Sequence, residues 1–148
     1  MAGGPDLDDP KWTLTRTWEE PGQSLAIAVD GELRVAVHLR GRGSMAGAQA
    51  LVDVMEGIRD AVGRDKVFTA VVDLRELDGS PLRAQFLLGK WLFMRKAQLE
   101  RVAVFGGRPF EMRLARAVMK IAMMRNAGFF DSRHEAIDWM GWPRDFYY

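Results

Sequence analysis

Apolar and polar residues alternate with a period of two in the first third of the chain. Bulky residues and threonines alternate along Trp12–Trp18, and two further apolar runs follow at Leu25–Val29 and Leu33–Leu39. A period of two with many β-branched and aromatic residues is typical of strands. The last two runs are separated by Asp30-Gly31, which is a strong hairpin signal. The pattern therefore predicts an antiparallel meander.

The period becomes helical after Gly43. Met45–Val62 has apolar residues at helical spacing, with Ser44 as the predicted N-cap. Val67–Asp73 is a nearly continuous apolar run, as expected for a strand covered on both faces. The remaining predicted elements are a helix at Leu82–Gln98 with Ser80 as N-cap and Pro81 first, a strand at Arg101–Gly106, a helix at Pro109–Arg125, a strand at Gly128–Asp131 and a helix at Ser132–Met140. This alternation predicts an α/β fold, a mixed sheet with helices packed against it.

Length and composition indicate one ordinary domain. We expect residues 1–11 to form a flexible tail and residues 12–148 to form the domain. The aromatic stretch Trp139–Tyr148 is expected to fold back over the sheet or onto a neighbouring subunit. A net charge of +1 gives no field that would attract nucleic acid, and no apolar run approaches the ~20 residues of a transmembrane helix. The absence of cysteine and of a signal peptide favours the cytoplasm.

Reactive side chains form no recognisable catalytic or metal-binding pattern. His38 and His134 are isolated, whereas a metal site needs three or four convergent ligands. We therefore predict no enzyme activity, no metal and no cofactor. A carboxylate at the end of a buried strand, as Asp73 is, could act as a base, but a cap or a pair with Arg75 is the simpler interpretation.

Glycine-rich turns offer a weak candidate for anion binding. In open α/β sheets, ligands bind at the carboxyl ends of the strands, where backbone N–H groups at helix starts favour anions. Neither Gly41–Ser44 nor Gly106–Arg108 has the spacing of a dinucleotide or phosphate-binding loop, so an ordinary turn is the alternative for each. The candidate ligand or anion site consists of Asp73, Ser80, Gly106, Gly107 and Arg108.

The second and third predicted helices each have two apolar faces. The stripes predicted to face the core are Leu82, Phe86, Gly89, Phe93 and Ala97 on one helix and Phe110, Leu114, Ala117, Val118 and Ile121 on the other. The opposite faces, together with one residue of a basic stripe, form the predicted interaction surface: Leu87, Trp91, Met94, Met112, Arg116, Met119 and Met123. Methionine suits adaptable binding surfaces. The alternatives are contact with a protein partner or with a second copy in a homodimer, an apolar ligand groove, and packing inside the domain.

Three segments resemble the bacterial SpoIIAA-like group of the STAS/SEC14 class. They are Phe68–Leu77 with its strand-terminal Asp73, Arg101–Gly106, and Gly128–Asp131 leading into Glu135–Met140. The resemblance covers about residues 25–140 and implies an α/β sandwich whose four- or five-stranded mixed sheet is backed by helices. It also implies a non-catalytic regulatory or binding role, with an apolar ligand or lipid as the alternative on the SEC14 side.

One part of the resemblance is missing from this chain. Members that antagonise anti-sigma factors carry a phosphorylatable serine just after the strand-terminal aspartate. Here Leu74 and Arg75 follow Asp73. The resemblance therefore does not extend to a serine phosphorylation switch.

Overall fold

The computed structural model describes residues Gly4–Phe146. Within this range the chain forms six strands and four α-helices. The strands are β1 (Trp12–Glu20), β2 (Gln23–Asp30), β3 (Arg34–Gly41), β4 (Phe68–Leu77), β5 (Leu99–Phe105) and β6 (Ala127–Phe130). The helices are α1 (Met45–Val62), α2 (Leu82–Arg95), α3 (Pro109–Ile121) and α4 (Arg133–Met140), and a 3-10 turn at Lys96–Gln98 follows α2.

The strands form one mixed sheet in chain order, β1 to β6. The pairs β1–β2 and β2–β3 are antiparallel, and every pair from β3 to β6 is parallel. The predicted α/β class and meander are confirmed. The predicted count of four or five strands is wrong, because β1 and the short β6 both belong to the same sheet.

The two faces of the sheet carry different layers. Side chains alternate along a strand, so neighbouring residues of β4 point to opposite faces. Val71, Ala103 and Phe105 pack with Ile137 of α4 on one face. The opposite face of the sheet, which includes Val72, is covered by α1, α2 and α3.

Both chain ends described lie against the α4 face. Trp142 and Phe146 belong to its buried cluster, so the C-terminal stretch folds back as expected, although Tyr147 and Tyr148 lie outside the described residues. Leu7 packs on the same cluster, and the Trp12 Nε1 donates to the Asp6 carbonyl at 2.9 Å. The flexibility of residues 1–11 and the domain limits stay predictions.

The predicted cap Ser44 is confirmed, whereas Ser132, predicted as the first residue of the last helix, is its N-cap. Ser44 caps α1, and Ser132 forms a capping box with Glu135 at α4. Ser80 is not a cap: Pro81 takes the N-cap position of α2, with no side-chain hydrogen bond. The preceding Gly79 has a positive φ and donates its N–H to Glu111. The turn before α2 is therefore stabilised by Glu111 and not by a cap from Ser80.

Helix α2 is rotated from the predicted orientation, because the residues that point inward include Gln85, Leu88 and Leu92, which belong to neither predicted apolar face. Leu82, Phe86 and Phe93 of the predicted core stripe are 67%, 59% and 47% exposed. The apolar pattern of this helix does not by itself specify its rotation. The rotation is set by close contact with α3 at Gly89, where a Cβ atom would come within 2.5 Å of the Ile121 Cγ2.

The rotation of α3 also differs from the prediction. Met119 is 8% exposed and packs against the β4 and β5 side chains Leu74, Val102 and Val104. Phe110, predicted as core, is 51% exposed. No helix of the described residues is long and apolar enough to cross a bilayer.

Candidate functional site

An apolar cavity of about 180 Å³ lies between the sheet and the layer of three helices. Its floor is formed by β3, β4 and β5, with Val72 and Val104 among the lining residues. Its walls and roof come from α1, α2 and α3, including Met55, Leu88 and Val118. The lining is almost entirely carbon, so the cavity favours an apolar occupant over water.

The cavity exists because α2 does not rest on the strands. Helix α2 packs mainly against α1 and α3, which flank it, and bridges the space between them. Val72 shows the consequence: it lies in the middle of a central strand, yet it is only partly buried. A helix resting directly on β4 would have covered it.

A cluster of charged groups lies beside the cavity where α1 meets the C-terminal half of α2. Glu56 of α1 accepts hydrogen bonds from the Trp91 Nε1 at 2.8 Å and from the Arg95 Nε at 3.0 Å. The Arg59 Nη1 donates to both carboxylate oxygens of Glu56, at 3.0 and 3.1 Å. Trp91, Arg59 and Arg95 all line the cavity. One carboxylate therefore connects two helices at the cavity wall.

The arginines keep Glu56 ionised. The hydrogen bond from Arg95, with help from Trp91 and Arg59 and against the effect of burial, lowers the pKa of Glu56 from 4.5 to about 2. A carboxylate with a lowered pKa stabilises the fold above its unfolded value and loses that contribution as the pH falls through its folded value. The Glu56 contribution is therefore complete above about pH 4.5 and lost towards pH 2.

Replacing Glu56 by glutamine tests this account. We expect Glu56→Gln to lower the free energy of unfolding by about 1–2 kcal/mol at pH 7, since a charge-assisted network with a partly exposed carboxylate is broken. The deficit should shrink as the pH falls towards 2. Urea unfolding at several pH values measures it. Asp60→Asn, which affects only the exposed pair with Arg64, should cost less than 1 kcal/mol. If Glu56→Gln and Asp60→Asn lower the free energy of unfolding equally, the stabilising role assigned to the Glu56 hydrogen bonds is contradicted.

The opposite end of the cavity, near the start of α2, contains a second buried carboxylate. Glu111 is 1% exposed and accepts hydrogen bonds from the Gly79 N–H and the Arg108 Nη2, both at 2.8 Å. The bond from Arg108 lowers the pKa of Glu111, although burial opposes the shift. Ser80 and Gln85 line the same end. Each end of the cavity thus has a carboxylate that is paired with arginine.

The predicted ligand or anion site is not brought together as one site. Ser80 lines the cavity, and Arg108 is paired with Asp78 and Glu111. Gly106 and Gly107 serve as close-approach positions, where a Cβ would come within 2.4 Å of the Arg75 Cγ and 3.1 Å of the Met112 Sδ. Asp73 lies on the α4 face, away from the cavity. Binding of an anion by any of them stays a prediction.

Asp73 is fully buried in a polar cluster. Its carboxylate accepts from the Arg75 N–H at 2.9 Å and from the Arg75 Nη2 at 2.7 Å. Parallel pairing places His38 beside it, with the His38 Nε2 2.8 Å from the Glu76 Oε2 and 4.0 Å from the Asp73 Oδ2. The lining of the apolar cavity does not include Asp73 or His38. This geometry agrees with the capping interpretation of Asp73. Among residues 4–146 no group of acidic and histidine side chains could hold a metal ion.

The predicted interaction surface is divided among three environments. Met94 and Met123 are exposed, and the Arg116 guanidinium lies 4.4 Å from the Phe129 ring centroid. Trp91 and Met119 both line the cavity, and Met119 is also buried against β4 and β5. Leu87 and Met112 are partly buried. The residues therefore do not form one continuous face, and contact of any of them with a partner stays a prediction.

Sequence reasoning missed Glu56, Arg59, Arg95 and Glu111. Glu56 and Arg59 are three residues apart on one helix, a spacing that allows a pair on any exposed helix and so gave no signal. Arg108 and Glu111 have the same spacing. The role of these four residues depends on which part of the sheet α2 covers. The local sequence pattern does not specify that.

Comparison with known proteins identifies the scaffold. The family model described as SpoIIAA-like matches residues 34–141. The chain belongs to the SpoIIAA-like family. A SpoIIAA-like crystal structure, that of an uncharacterised DUF3478-family protein from Shewanella loihica PV-4, matches with a TM-score of 0.62 and 20% identity, covering 82% of this chain and 98% of that one. This likeness shows the fold alone. Comparison with curated proteins finds no match. The resemblance noted from the sequence is thus confirmed.

Proposed function

We propose that this SpoIIAA-like domain is a non-catalytic binding module that takes a small apolar molecule into the cavity between α2 and the sheet. The observation that supports the proposal is the cavity itself, with its apolar lining from three strands and three helices. Family members of this kind are generally non-enzymatic, and the lack of cysteine supports action in a reducing cytoplasm. The domain would sense or carry its ligand.

The volume limits the ligand. An engineered apolar cavity of about 150 Å³ stays dry and binds benzene, whereas drug-sized ligands occupy roughly 300–1,000 Å³. A cavity of about 180 Å³ therefore suits an apolar group slightly larger than a benzene ring. Each buried CH₂ contributes about 0.8 kcal/mol, so a chain of seven or eight carbons provides useful affinity.

Titration with small apolar probes tests the proposal. We expect toluene and 1-octanol to raise the melting temperature in a saturable manner, by about 5–10 °C at 100 times the dissociation constant. Methyl NMR shifts should be confined to lining residues such as Met55, Leu88 and Val118. Ethanol at matched concentration is the control and should produce neither effect. The absence of both the stabilisation and the shifts would overturn the proposal.

A second candidate function is self-association through the outer face of α2. Leu82, Phe86 and Phe93 lie within about 40° of one another around the helix and are each about half or more exposed. Exposed apolar clusters of this kind mark interaction sites in folded proteins.

Charge substitution on this face tests self-association. If it mediates a homodimer, sedimentation equilibrium should give a dimer for the unaltered protein and a monomer for Phe86→Glu. Lys90→Glu, one turn along the same helix, introduces an acidic group without removing an aromatic one and should leave the dimer largely intact. A monomer for the unaltered protein at high concentration would count against this candidate.

A further inference from the structure

A second, smaller cavity adjoins the apolar cavity at the C-terminal end of β4. Its volume is about 80 Å³, and we call it the α1 groove because Ser44, Gly47 and Ala48 at the start of α1 line it, together with Gln23 of β2. Five residues line both spaces, namely Leu39, Leu51, Leu77, Ser80 and Leu88. The apolar cavity and the α1 groove therefore share a boundary.

The boundary between the two spaces is not densely packed. Its four leucines come from four different elements, β3, α1, β4 and α2, and yet each of them is only partly buried. In a filled protein interior, leucines where four elements meet would lose nearly all their exposure. Their side chains can also change rotamer without any movement of the backbone. A linear molecule can therefore extend from the apolar cavity into the α1 groove.

Polar groups are present on the α1 groove side of this boundary. The Gln23 amide donates a hydrogen bond to the Ser44 hydroxyl, and both residues are partly exposed, so the groove is reached from solvent. Ser80 lies at the boundary itself, and it does not cap α2. A polar group of a ligand would keep contact with water and with hydroxyl and amide groups here.

The charges around the α1 groove are already paired. Arg40 is the one charged residue among the described residues that line it, and its Nε lies 3.2 Å from the Glu76 Oε1. The adjoining end of the apolar cavity contains Glu111, whose pKa is lowered by Arg108. Moving a charged group out of water without a partner costs far more free energy than moving a hydroxyl that keeps its hydrogen bonds. An uncharged polar group therefore suits this position.

We propose that the natural ligand is a linear amphiphile with an uncharged polar end, which lies in the α1 groove while the alkyl chain fills the apolar cavity. If about 150 Å³ holds the six carbons of benzene, the α1 groove adds space for about three carbons to the apolar cavity. A chain of about ten carbons then fits the two spaces together. This inference rests on the proposed function, because it extends the ligand site of the same cavity.

The affinity gained from 1-octanol to 1-decanol tests whether the groove belongs to the site. By calorimetry 1-decanol should bind the unaltered protein about tenfold more tightly, because two further CH₂ groups are buried. Ala48 lines the groove but not the apolar cavity, so Ala48→Leu should reduce this gain to less than about threefold and leave 1-octanol within about twofold. Ala46→Leu, at an exposed position of the same helix, is the control and should retain the gain.

Two measurements on the unaltered protein test the orientation and the charge of the ligand. Leu99 lines the apolar cavity beside Phe68, at the other end of β4 from Leu77. Intermolecular NOEs from the CH₂OH protons of 1-decanol should therefore reach the Ala48 methyl group, and those from its terminal methyl group should reach Leu99. Decanoate at pH 7 should bind at least about tenfold more weakly than 1-decanol. Neither measurement depends on the folding of a variant.

The outcomes separate this inference from the proposed function. Equal affinity for the two alcohols, a gain that persists in Ala48→Leu or is also lost in Ala46→Leu, reversed NOEs, or decanoate binding as tight as that of 1-decanol would each overturn the amphiphile assignment alone. Binding of 1-octanol would still support the apolar cavity in those cases. Binding of none of the three probes would overturn both proposals.

Discussion

Val72→Phe is expected to leave the domain folded and to weaken the binding of apolar probes strongly. Val72 lies in the middle of β4 and is only partly buried, because it lines the cavity under α2. A phenyl ring there occupies space that is already empty and gains contacts with the roof. We expect the free energy of unfolding to change by less than about 1 kcal/mol, and the affinity for 1-octanol to fall at least about tenfold.

The adjacent residue provides the control. Val71 is fully buried on the opposite face of the same strand, where it is packed in the α4 cluster and does not line the cavity. Val71→Phe forces extra volume into a filled core and should destabilise the domain by about 1–3 kcal/mol or more. Urea unfolding of the two variants and calorimetry on Val72→Phe give the comparison. Equal destabilisation, or unchanged probe binding in Val72→Phe, would contradict a functional cavity under α2.

Much of the architecture could be predicted because local periodicity decides it. The alternation in β1, the Asp30-Gly31 turn and the apolar run of β4 each specify one kind of element, and right-handed crossovers then arrange the strands. The position of α1 was predicted to the residue, since Ser44 and Gly63 mark its ends. These signals lie within a few residues of the features that they predict.

The cavity could not be predicted because it depends on how α2 is rotated and supported. Apolar residues lie on several sides of α2, so the sequence permits more than one rotation. Gly89, a residue of the predicted core stripe, packs instead against α3, because only a residue without a side chain lets Ile121 approach so closely. The hydrophobic pattern also does not reveal empty space. From the sequence Val72 is an ordinary core residue, whereas in the structure it is partly exposed to the cavity.

Glu111→Gln is expected to be among the most destabilising polar substitutions in the domain. The carboxylate is 1% exposed, and all its hydrogen-bonded partners are donors, namely the Gly79 N–H and the Arg108 Nε and Nη2. Glutamine has the same shape, but it loses the charge and directs an NH₂ group at one of these donors. Breaking a buried pair costs about 3–5 kcal/mol. Since the Arg108 side chain is 64% exposed and can be hydrated again, we expect about 2–3 kcal/mol.

Asp78→Asn is the matched control for this prediction. Asp78 binds the same Arg108 Nη2 at the same distance of 2.8 Å, but its side chain is 63% exposed. An exposed pair contributes less than about 1 kcal/mol, so Asp78→Asn should unfold at nearly the same urea concentration as the unaltered protein. If both variants lose the same stability, burial is not the reason that Glu111 matters.

The pH dependence of Glu111→Gln gives an independent check, and its sign follows from the lowered pKa of Glu111. A carboxylate whose pKa is lowered by folding contributes stability above its unfolded value, and that contribution disappears as acid protonates the folded form. The difference between Glu111→Gln and the unaltered protein should therefore be largest at neutral pH and shrink in acid. Because Glu111 ties the start of α3 to Gly79 beside α2, its loss should also loosen the roof of the cavity. Affinity for 1-octanol should then fall together with stability, whereas in Val72→Phe affinity falls alone.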